Sequence, residues 1–371
     1  MSGKLRVWGS ESSYFTGKLE ACLRYKEIPY DLVPATGPDF SKMLLRKAGA
    51  IQVPAVELPD GRWISDTTPI IAWLETQYPE HPVIPSDPLQ AFVSRLLEDH
   101  ADEWLWRPAM HYRWSYPASR IAAGGALARE MAPHIPLPVG VKRHFVSARQ
   151  LSIFVRGDGV RRETRAHVEQ GYFRALEQLS EIFAKRPFLL GDRPSLADIG
   201  YFGPMFRHFA IDPYPAAIMR NRAPRVYEWV ARLWNARGSE QPGELLQGIP
   251  DDWGPILQEI GATHLEQLAA NAAAWSTDRD EFELEVQGTR YRRLPTSRYR
   301  VWCLEQLRAH FEALPEPAQK EARALLERHG CWDPLWRGDS RPSGHDPEGK
   351  APFARGLRVL PATRIRLRSL F

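Results

Sequence analysis

A run of hydroxyl side chains follows the first apolar segment of the chain. Residues 4–8 are predicted to form a strand and Phe15–Lys26 an amphipathic helix, and the turn at residues 10–14, SESSY, joins them. A helix N-terminus carries unpaired N–H groups and about half a positive charge. Such a turn can therefore hold an anion or a thiolate, and its hydroxyls can donate hydrogen bonds to it.

The three cysteines give no sign of a disulfide framework or a zinc site, because they are few, odd in number and widely spaced (Cys22, Cys303 and Cys331). Cys22 shares one helical face with Leu19 and Leu23. We therefore favour a buried apolar role for Cys22 over a reactive one.

Composition and charge narrow the class of protein. The 371 residues, 43% hydrophobic and 25% charged, suit two or three soluble domains of about 100–200 residues each. The net charge of +4 is spread over 49 bases and 45 acids, so we predict no nucleic-acid partner, although small anions are compatible with it. With no membrane-length apolar window and no signal pattern, we expect a cytoplasmic protein without a membrane partner.

Short elements follow one another between residues 4 and 78. The helix after the hydroxyl turn leads to a second strand, which favours a parallel strand–helix–strand unit. A proline opens a later strand, as expected at a strand start or an edge, and threonines with Pro69 predict the start of a third helix. The predicted elements after Phe15–Lys26 are strand 30–33, helix 40–47, strands 53–58 and 63–65, and a helix that begins after Asp66.

This β-α-β-α-β-β-α order resembles the thioredoxin-like N-terminal domain of the cytosolic glutathione S-transferases. The helical stretch that follows, with Ser195 and Asp198 spaced as a helix cap and its partner, resembles the second domain of that family. The motifs that carry the resemblance are Ser12-Ser13-Tyr14, Gln52-Val53-Pro54-Ala55, Ser65-Asp66-Thr67 and the phrase FLLGDRPSLADI at 188–199.

The resemblance covers residues 4–237. Together with the residues that follow it, this divides the chain into three parts. The fold class is an α/β thioredoxin-like N-terminal domain (1–83), an all-α glutathione S-transferase C-terminal domain (84–238) and an α+β C-terminal extension (239–371). The extension lies outside the usual family architecture. We expect it to contain helices and a hairpin around Gln287-Gly288, which is marginal alone and so packs on another domain, and to be irregular after Trp336.

The resemblance also implies a glutathione site. The bond before Pro54 would be cis, and the backbone of Val53, next to Gln52, would pair with the cysteine of the peptide as an open strand edge. Thr67, at a helix N-terminus, would bind the γ-glutamyl carboxylate, and Asp66 its ammonium group. The simpler alternatives are that Pro54 only begins an edge strand and that the threonines only cap the helix.

Three hydroxyls compete for the catalytic role. Ser13 falls where serine-type members of the family place the hydroxyl that donates a hydrogen bond to the glutathione thiolate. Tyr14 could supply the hydroxyl instead, as in tyrosine-type members, and Ser12 is a third candidate. The fourth interpretation is that the hydroxyls only cap the helix and have no catalytic role.

A cluster of aromatic side chains is the candidate pocket for an electrophile. An apolar aromatic wall with a few polar tips suits a planar hydrophobic compound, but the ordinary core of a helix bundle explains the cluster as well. Neither His100 nor His111 has partners at metal-ligand spacing, so we predict no metal site. The members of the cluster are Trp104, Trp106, His111, Tyr112, Trp114 and Tyr116.

The leading functional hypothesis is a glutathione S-transferase-like enzyme that activates the thiol of its co-substrate glutathione for transfer to a hydrophobic electrophile. The alternative is a non-catalytic glutathione-fold module for binding or assembly, which the added C-terminal region favours. Thiol–disulfide exchange is disfavoured because the turn contains no cysteine. The resemblance also implies a homodimer.

Overall fold

The first layer is a mixed four-stranded sheet with three helices, in a computed structural model that describes residues 3–37, 39–49, 51–131, 133–338 and 341–353. The strand order is β2-β1-β3-β4. The strand β1 runs parallel to β2, whereas β3 is antiparallel to both β1 and β4. The elements are β1 (Leu5–Gly9), α1 (Tyr14–Tyr25), β2 (Tyr30–Pro34), α2 (Phe40–Lys47), β3 (Ala55–Glu57), β4 (Trp63–Ser65) and α3 (Thr67–Gln77).

This layer confirms the thioredoxin-like order and the parallel strand–helix–strand unit. The helix α1 buries Leu19, Cys22 and Leu23 in the core. Burial raises the pKa of the Cys22 thiol to about 12, so this thiol is inert at neutral pH, in line with the apolar role that the sequence predicted.

The second layer is entirely helical, as predicted. The two glycines at 124 and 125 lie within one continuous helix, the prolines at 133, 136 and 138 follow its end, and a short helix spans residues 213–222. The helices are α4 (Pro88–Glu103), α5 (Trp106–Ser115), α6 (Pro117–Met131), α7 (Val139–Gln150), α8 (Arg165–Phe183), α9 (Leu196–Pro204), α10 (Pro213–Arg222) and α11 (Pro224–Asn235), with π-helical turns at Leu151–Arg156 and Met205–Ala210.

Two local features explain this helical packing. Gly124 permits the close approach of α6 and α7, because a Cβ there would lie 2.7 Å from Ser147 Oγ. At the start of α9 the predicted cap is confirmed: the Asp198 carboxylate accepts from the N–H groups of Ser195 and Leu189. One buried carboxylate therefore both caps α9 and closes the preceding loop.

The C-terminal extension contains the predicted hairpin and helices. The Tyr291 hydroxyl lies 2.7 Å from His167 Nδ1, so the hairpin packs on the helical layer as expected. Buried apolar side chains from all three parts form one contiguous core. The extension consists of α12 (Gly254–Glu259), a π-helical turn (Ile260–Leu265), α13 (Glu266–Ser276), β5 (Glu281–Val286), β6 (Thr289–Pro295), α14 (Arg298–Glu312), α15 (Glu316–Arg328) and α16 (Trp332–Trp336).

A fully buried lysine joins the first layer to the second. Lys18 of α1 has no exposed side-chain surface, and its Nζ lies 2.7 Å from Glu98 Oε1 and 2.5 Å from Asp102 Oδ2 of α4. The Thr68 hydroxyl of α3 donates to the same Glu98 oxygen at 3.0 Å. Helices α1, α3 and α4 therefore meet at one charge cluster.

We expect Lys18→Met to lower the free energy of unfolding by about 3–5 kcal/mol, because it leaves two carboxylates buried without their cation. Chemical denaturation at pH 7 measures the change. The control is Lys42→Met, since the Lys42 side chain is 85% exposed and its pair with Asp39 lies at the surface; exposed pairs contribute about 0–1 kcal/mol. Equal stability of the two variants would contradict this role of Lys18.

Candidate functional site

The hydroxyl turn places Ser13 at the N-terminus of α1. Ser13 is the cap residue, and its Oγ accepts from the N–H of Thr16 at 3.3 Å. A hydroxyl that accepts through a lone pair keeps its own proton to donate, and no hydrogen bond donated by Ser13 Oγ occurs within the described residues. Half-buried Ser13 therefore offers a donor beside the positive end of the helix dipole.

Two arginines of the helical layer hold the backbone of this turn. Arg113 of α5 donates to Ser12 O at 2.7 Å and is itself paired with Asp212 at 2.6 Å. Arg207 donates to Glu11 O at 2.5 Å. The turn that carries Ser12 and Ser13 is thus fixed in position by the second layer.

The turn already holds one anion at its first residues. The carboxylate of Glu130, from α6, accepts from the Ser10 hydroxyl at 2.8 Å and from the Glu11 N–H at 3.1 Å. This contact shows that the turn can bind a negatively charged group, as its sequence indicated. The half-buried Ser12 and Ser13 make no contact with Glu130.

Tyr14 lies in the core and not with the two serines. Only 1% of Tyr14 is exposed, and its hydroxyl donates to Ala101 O at 2.5 Å. A Cβ at Gly203 would lie 2.6 Å from the Tyr14 ring, so the glycine makes room for it. As the first residue of α1, Tyr14 points its side chain back against α4 and α9, and this placement argues against the sequence-based alternative that its hydroxyl serves the thiol.

Val53 lies shortly before the first residue of β3, and its backbone groups are free. The Val53-Pro54 bond is cis, as the resemblance implied. The strand begins only at Ala55, and no backbone hydrogen bond within the described residues uses the N–H or C=O of Val53. Gln52 and Val53 are half-buried and Pro54 is buried. An extended peptide could pair with Val53 as an added strand.

Asp66 has the most unusual environment of the predicted residues. Its backbone has φ 74° and ψ 116°, a conformation rare outside glycine that points to a functional site. It is 8% exposed, and burial raises its pKa from the usual 3.8 to about 6. Its carboxylate accepts from the Tyr299 hydroxyl at 3.2 and 3.0 Å, a contact that the sequence did not indicate.

The start of α3 differs from the predicted cap. The helix begins at Thr67, directly after Asp66, and its N-terminus has no side-chain cap. The Thr68 hydroxyl donates to Glu98 and not to the backbone, because the Lys18 cluster offers it a charged acceptor. Thr67 is 4% exposed, so the residue expected to bind the γ-glutamyl carboxylate is covered.

The structure does not gather the predicted aromatic cluster into one pocket. Trp104, His111, Tyr112 and Trp114 are all buried in the helical layer. Trp104 packs at 6.4 Å from Tyr291 of the hairpin, and His111 Nε2 bonds to Glu169 at 3.0 Å. Their placement favours the bundle-core explanation that the sequence left open.

Two members of the cluster, Trp106 and Tyr116, are half-buried; Tyr116 stacks on Tyr112 and Tyr214, whereas Trp106 has two partners that the sequence analysis missed. Trp106 stacks on Phe15 at 5.6 Å and meets Phe154 edge-on at 5.8 Å. All three rings are half-buried, and Phe15 is only two residues after Ser13. Phe15 of α1 and two rings of the helical layer therefore form a half-buried apolar surface. The sequence held one usable signal, an aromatic residue directly after the hydroxyl turn.

The first layer therefore carries several groups that could contact a ligand. Free backbone groups lie at Val53, a buried carboxylate at Asp66, and hydroxyl donors at Ser12 and Ser13 beside a helix N-terminus. Among the described residues there is no group of three or more potential metal ligands. Within the same part of the chain, no helix has the length and apolar character needed to cross a membrane.

Two models of known protein domains match parts of the chain. Residues 12–77 match the family model of the glutathione S-transferase N-terminal domain, and residues 162–232 match that of the glutathione S-transferase C-terminal domain. The chain is therefore similar to glutathione S-transferases in parts of its first two layers. The extension lies beyond both matches.

Individual relatives are distant. The chain is 23% identical over 109 residues to glutathione S-transferase U7 of Arabidopsis thaliana, and 31% identical over 98 residues to pyrimidodiazepine synthase of Drosophila melanogaster. These matches span 29% and 26% of the chain and 48% and 40% of the relatives, so about half or less of each curated relative is covered.

Two similar solved structures also carry the family name. A glutathione S-transferase from Methylobacterium radiotolerans, in complex with glutathione sulfonate, is 19% identical with a TM-score of 0.41 and covers 67% of this chain and 99% of its own. One from Ceriporiopsis subvermispora, in complex with glutathione, is 18% identical with a TM-score of 0.43 and covers 63% and 100%.

The raised pKa of Asp66 leads to a prediction about stability. Because the pKa of Asp66 is higher in the folded than in the unfolded protein, the protonated side chain makes its full contribution to the stability of the fold below about pH 3.8. This contribution is lost as the pH rises through about 6. We expect Asp66→Asn to raise the free energy of unfolding by about 1–3 kcal/mol at pH 7.5 and to have no effect at pH 3.5. Melting temperatures across this pH range measure it.

The control for this measurement is Asp31→Asn, because the Asp31 side chain is 58% exposed and its charge is solvated. It should not raise the melting temperature at either pH. A lower melting temperature of Asp66→Asn at pH 7.5 would show that the Asp66 carboxylate stabilises the fold and would contradict the prediction.

Proposed function

We propose that the protein binds glutathione and that the Ser13 hydroxyl stabilises its thiolate for attack on a hydrophobic electrophile. The observation that carries this proposal is the position of Ser13, a capping serine with a free hydroxyl proton at the N-terminus of α1. A charge-assisted hydrogen bond and the helix dipole both favour the ionised form of a thiol placed there.

The remaining parts of the tripeptide have matching groups. The backbone of Val53 would pair with the cysteinyl unit, while Asp66 would bind the ammonium group and Thr67 the carboxylate of the γ-glutamyl unit. Half-buried Gln52 lies next to this edge and would complete it. The match to the glutathione S-transferase N-terminal domain and the name of one curated relative, glutathione S-transferase U7, support glutathione as the co-substrate.

The reaction needs one proton transfer and one new bond. The thiol proton of glutathione leaves to solvent, and the sulfur lone pair attacks the electrophilic carbon to form a C–S bond. In a substitution the leaving group departs with the bonding electron pair, and in an addition a solvent proton neutralises the product. The half-buried rings of Phe15, Trp106 and Phe154 would hold the apolar body of the electrophile beside Ser13.

A second candidate is the non-catalytic module for binding or assembly. The burial of Asp66 and Thr67 beneath the extension favours it, because these two residues would serve the γ-glutamyl unit. A glutathione resin separates the candidates, since retention followed by turnover with an electrophile panel supports the enzyme. If the protein neither binds glutathione nor turns over any electrophile, the non-catalytic module remains the supported function.

The family resemblance also supports proposals about the domains, the oligomeric state and the location of the protein. We propose domain boundaries at 83/84 and 238/239, a homodimer and a cytoplasmic location. Size-exclusion chromatography with light scattering tests the homodimer directly. A monomer mass at all concentrations would remove the homodimer without affecting the chemistry at Ser13.

Ser13→Ala should raise the apparent pKa of bound glutathione by about 1–2 units, because a hydrogen bond to a charged group contributes about 1.5–3 kcal/mol. Ultraviolet difference absorbance of the thiolate, titrated against pH, measures this pKa, and kcat should fall in parallel at neutral pH. Ser12→Ala should leave both unchanged. If Ser12→Ala shifts the pKa and Ser13→Ala does not, the roles of the two serines are exchanged.

Tyr14→Phe is the matched control for the loss of a hydroxyl in the same turn. It removes the bond to Ala101 O and should cost about 0.5–1.5 kcal/mol of stability, while the thiolate pKa is unchanged. A raised thiolate pKa in Tyr14→Phe would instead give Tyr14 the catalytic role.

Glutathione affinity should also depend on pH through Asp66. Its charge, opposed by burial and by Glu98 and Glu103 but favoured by Lys18, is lost as the pH falls through about 6. The attraction for the ligand's ammonium group is lost with it, so we expect the dissociation constant to rise below pH 6. Calorimetric titrations between pH 5 and 8 measure it, and a pH-independent constant in the wild-type protein would exclude Asp66 from the site.

A further inference from the structure

Tyr299 of the extension makes the one side-chain hydrogen bond that Asp66 has within the described residues. Its hydroxyl lies 3.2 and 3.0 Å from the two carboxylate oxygens, so a single O–H faces both oxygens at once. Asp66 forms no ion pair with any described residue. A buried carboxylate whose partner is a neutral hydroxyl has no cation to compensate its negative charge.

The backbone of the extension also contacts Ser65, the residue before Asp66. The N–H of Ser65, the last residue of the edge strand β4, donates to Pro352 O at 3.2 Å. The Phe353 ring packs edge-on against Trp73 of α3 at 5.6 Å, and the Arg62 guanidinium lies 4.9 Å from the centre of that ring. We call residues 341–353 the C-terminal strap.

The strap and Tyr299 are joined to each other. The His345 ring lies 5.3 Å from the Tyr299 ring and 5.2 Å from that of Trp302. Ser343 of the strap bonds through its N–H at 2.6 Å and its hydroxyl at 2.5 Å to the Glu305 carboxylate of α14. Tyr299, also in α14, and the strap therefore cover the site as one packed unit.

We propose that Tyr299 competes with the ammonium group of the ligand for the Asp66 carboxylate, so that the extension sets the affinity for glutathione. The proposal rests on the proposed function. The Tyr299 hydroxyl lies within hydrogen-bond distance of both carboxylate oxygens, so an ammonium group that binds either oxygen meets it, and Asp66 and Thr67 are only 8% and 4% exposed. Binding of the γ-glutamyl unit therefore requires Tyr299 to leave the carboxylate.

The test compares the glutathione affinities of the full-length wild-type protein, Tyr299→Phe and Tyr291→Phe by calorimetry at pH 7.5. Tyr299→Phe removes the competing hydroxyl, so its dissociation constant should fall about tenfold or more, the effect of one hydrogen bond to a charged group. Tyr291→Phe removes another hydroxyl of the extension, which bonds to His167 far from Asp66, and should match the wild type.

Hydrogen exchange of the wild-type protein gives a second measurement that needs no variant. Saturating glutathione should speed exchange at the Ser65 N–H and in the strap, because the ligand displaces Tyr299 and loosens the unit that packs with it. Slower exchange at these positions in the complex would overturn the proposal, since the strap would then close over the ligand.

The affinities separate the remaining outcomes. Weaker binding by Tyr299→Phe would make Tyr299 part of the binding site and overturn competition, and equal binding by all three proteins would show that Tyr299 has no effect. In both cases glutathione still binds and the proposed function stands. If no folded protein of the three binds glutathione, the proposed function fails and this proposal fails with it.

Discussion

The buried Lys18 cluster is the contact on which the arrangement of the first two layers depends. One cation on α1 contacts two carboxyl groups on α4, and a hydroxyl of α3 joins them. None of these groups can be left alone in the core without a large desolvation cost. The three helices are therefore held in one relative position, and α1 and α3 carry Ser13 and Asp66 at their N-termini.

A second set of polar contacts fixes the turn itself. Arg113 and Arg207 bind its carbonyl oxygens, and Glu130 binds its first N–H and hydroxyl groups. These contacts use the backbone and the first serine, and so leave the hydroxyls of Ser12 and Ser13 for other partners. A hydroxyl placed on a rigid support can stabilise a charge without being reorganised when that charge forms.

The extension gives the molecule a feature that the two family domains do not contain. It joins the helical layer through a buried pair, with Arg300 Nε lying 3.1 Å from Glu103, and it shares the apolar core. The same region brings Tyr299 to Asp66 and Pro352 to the edge of β4. An edge strand with open backbone groups invites pairing with another chain, and here a segment of the same chain takes up one of those groups.

The local elements could be predicted from the sequence because they depend on neighbouring residues. Alternating and helical patterns, the Ser195–Asp198 cap and the turn at Gln287-Gly288 gave the order of strands and helices and the hairpin. The candidates Ser13, Val53, Pro54 and Asp66 came instead from the resemblance of their motifs to those of the glutathione S-transferases. An error arose where packing overrides local preference, as at the start of α3, where the Thr68 hydroxyl binds Glu98 and does not cap the helix.

What only the tertiary structure decided is which of these groups face each other. Tyr14 and Ser13 are adjacent in sequence, yet one lies in the core and the other at the turn, because the first residue of α1 packs against Gly203. The contact of Asp66 with Tyr299 joins residues 233 positions apart. No periodicity or spacing records such a contact, since it depends on how whole layers pack together.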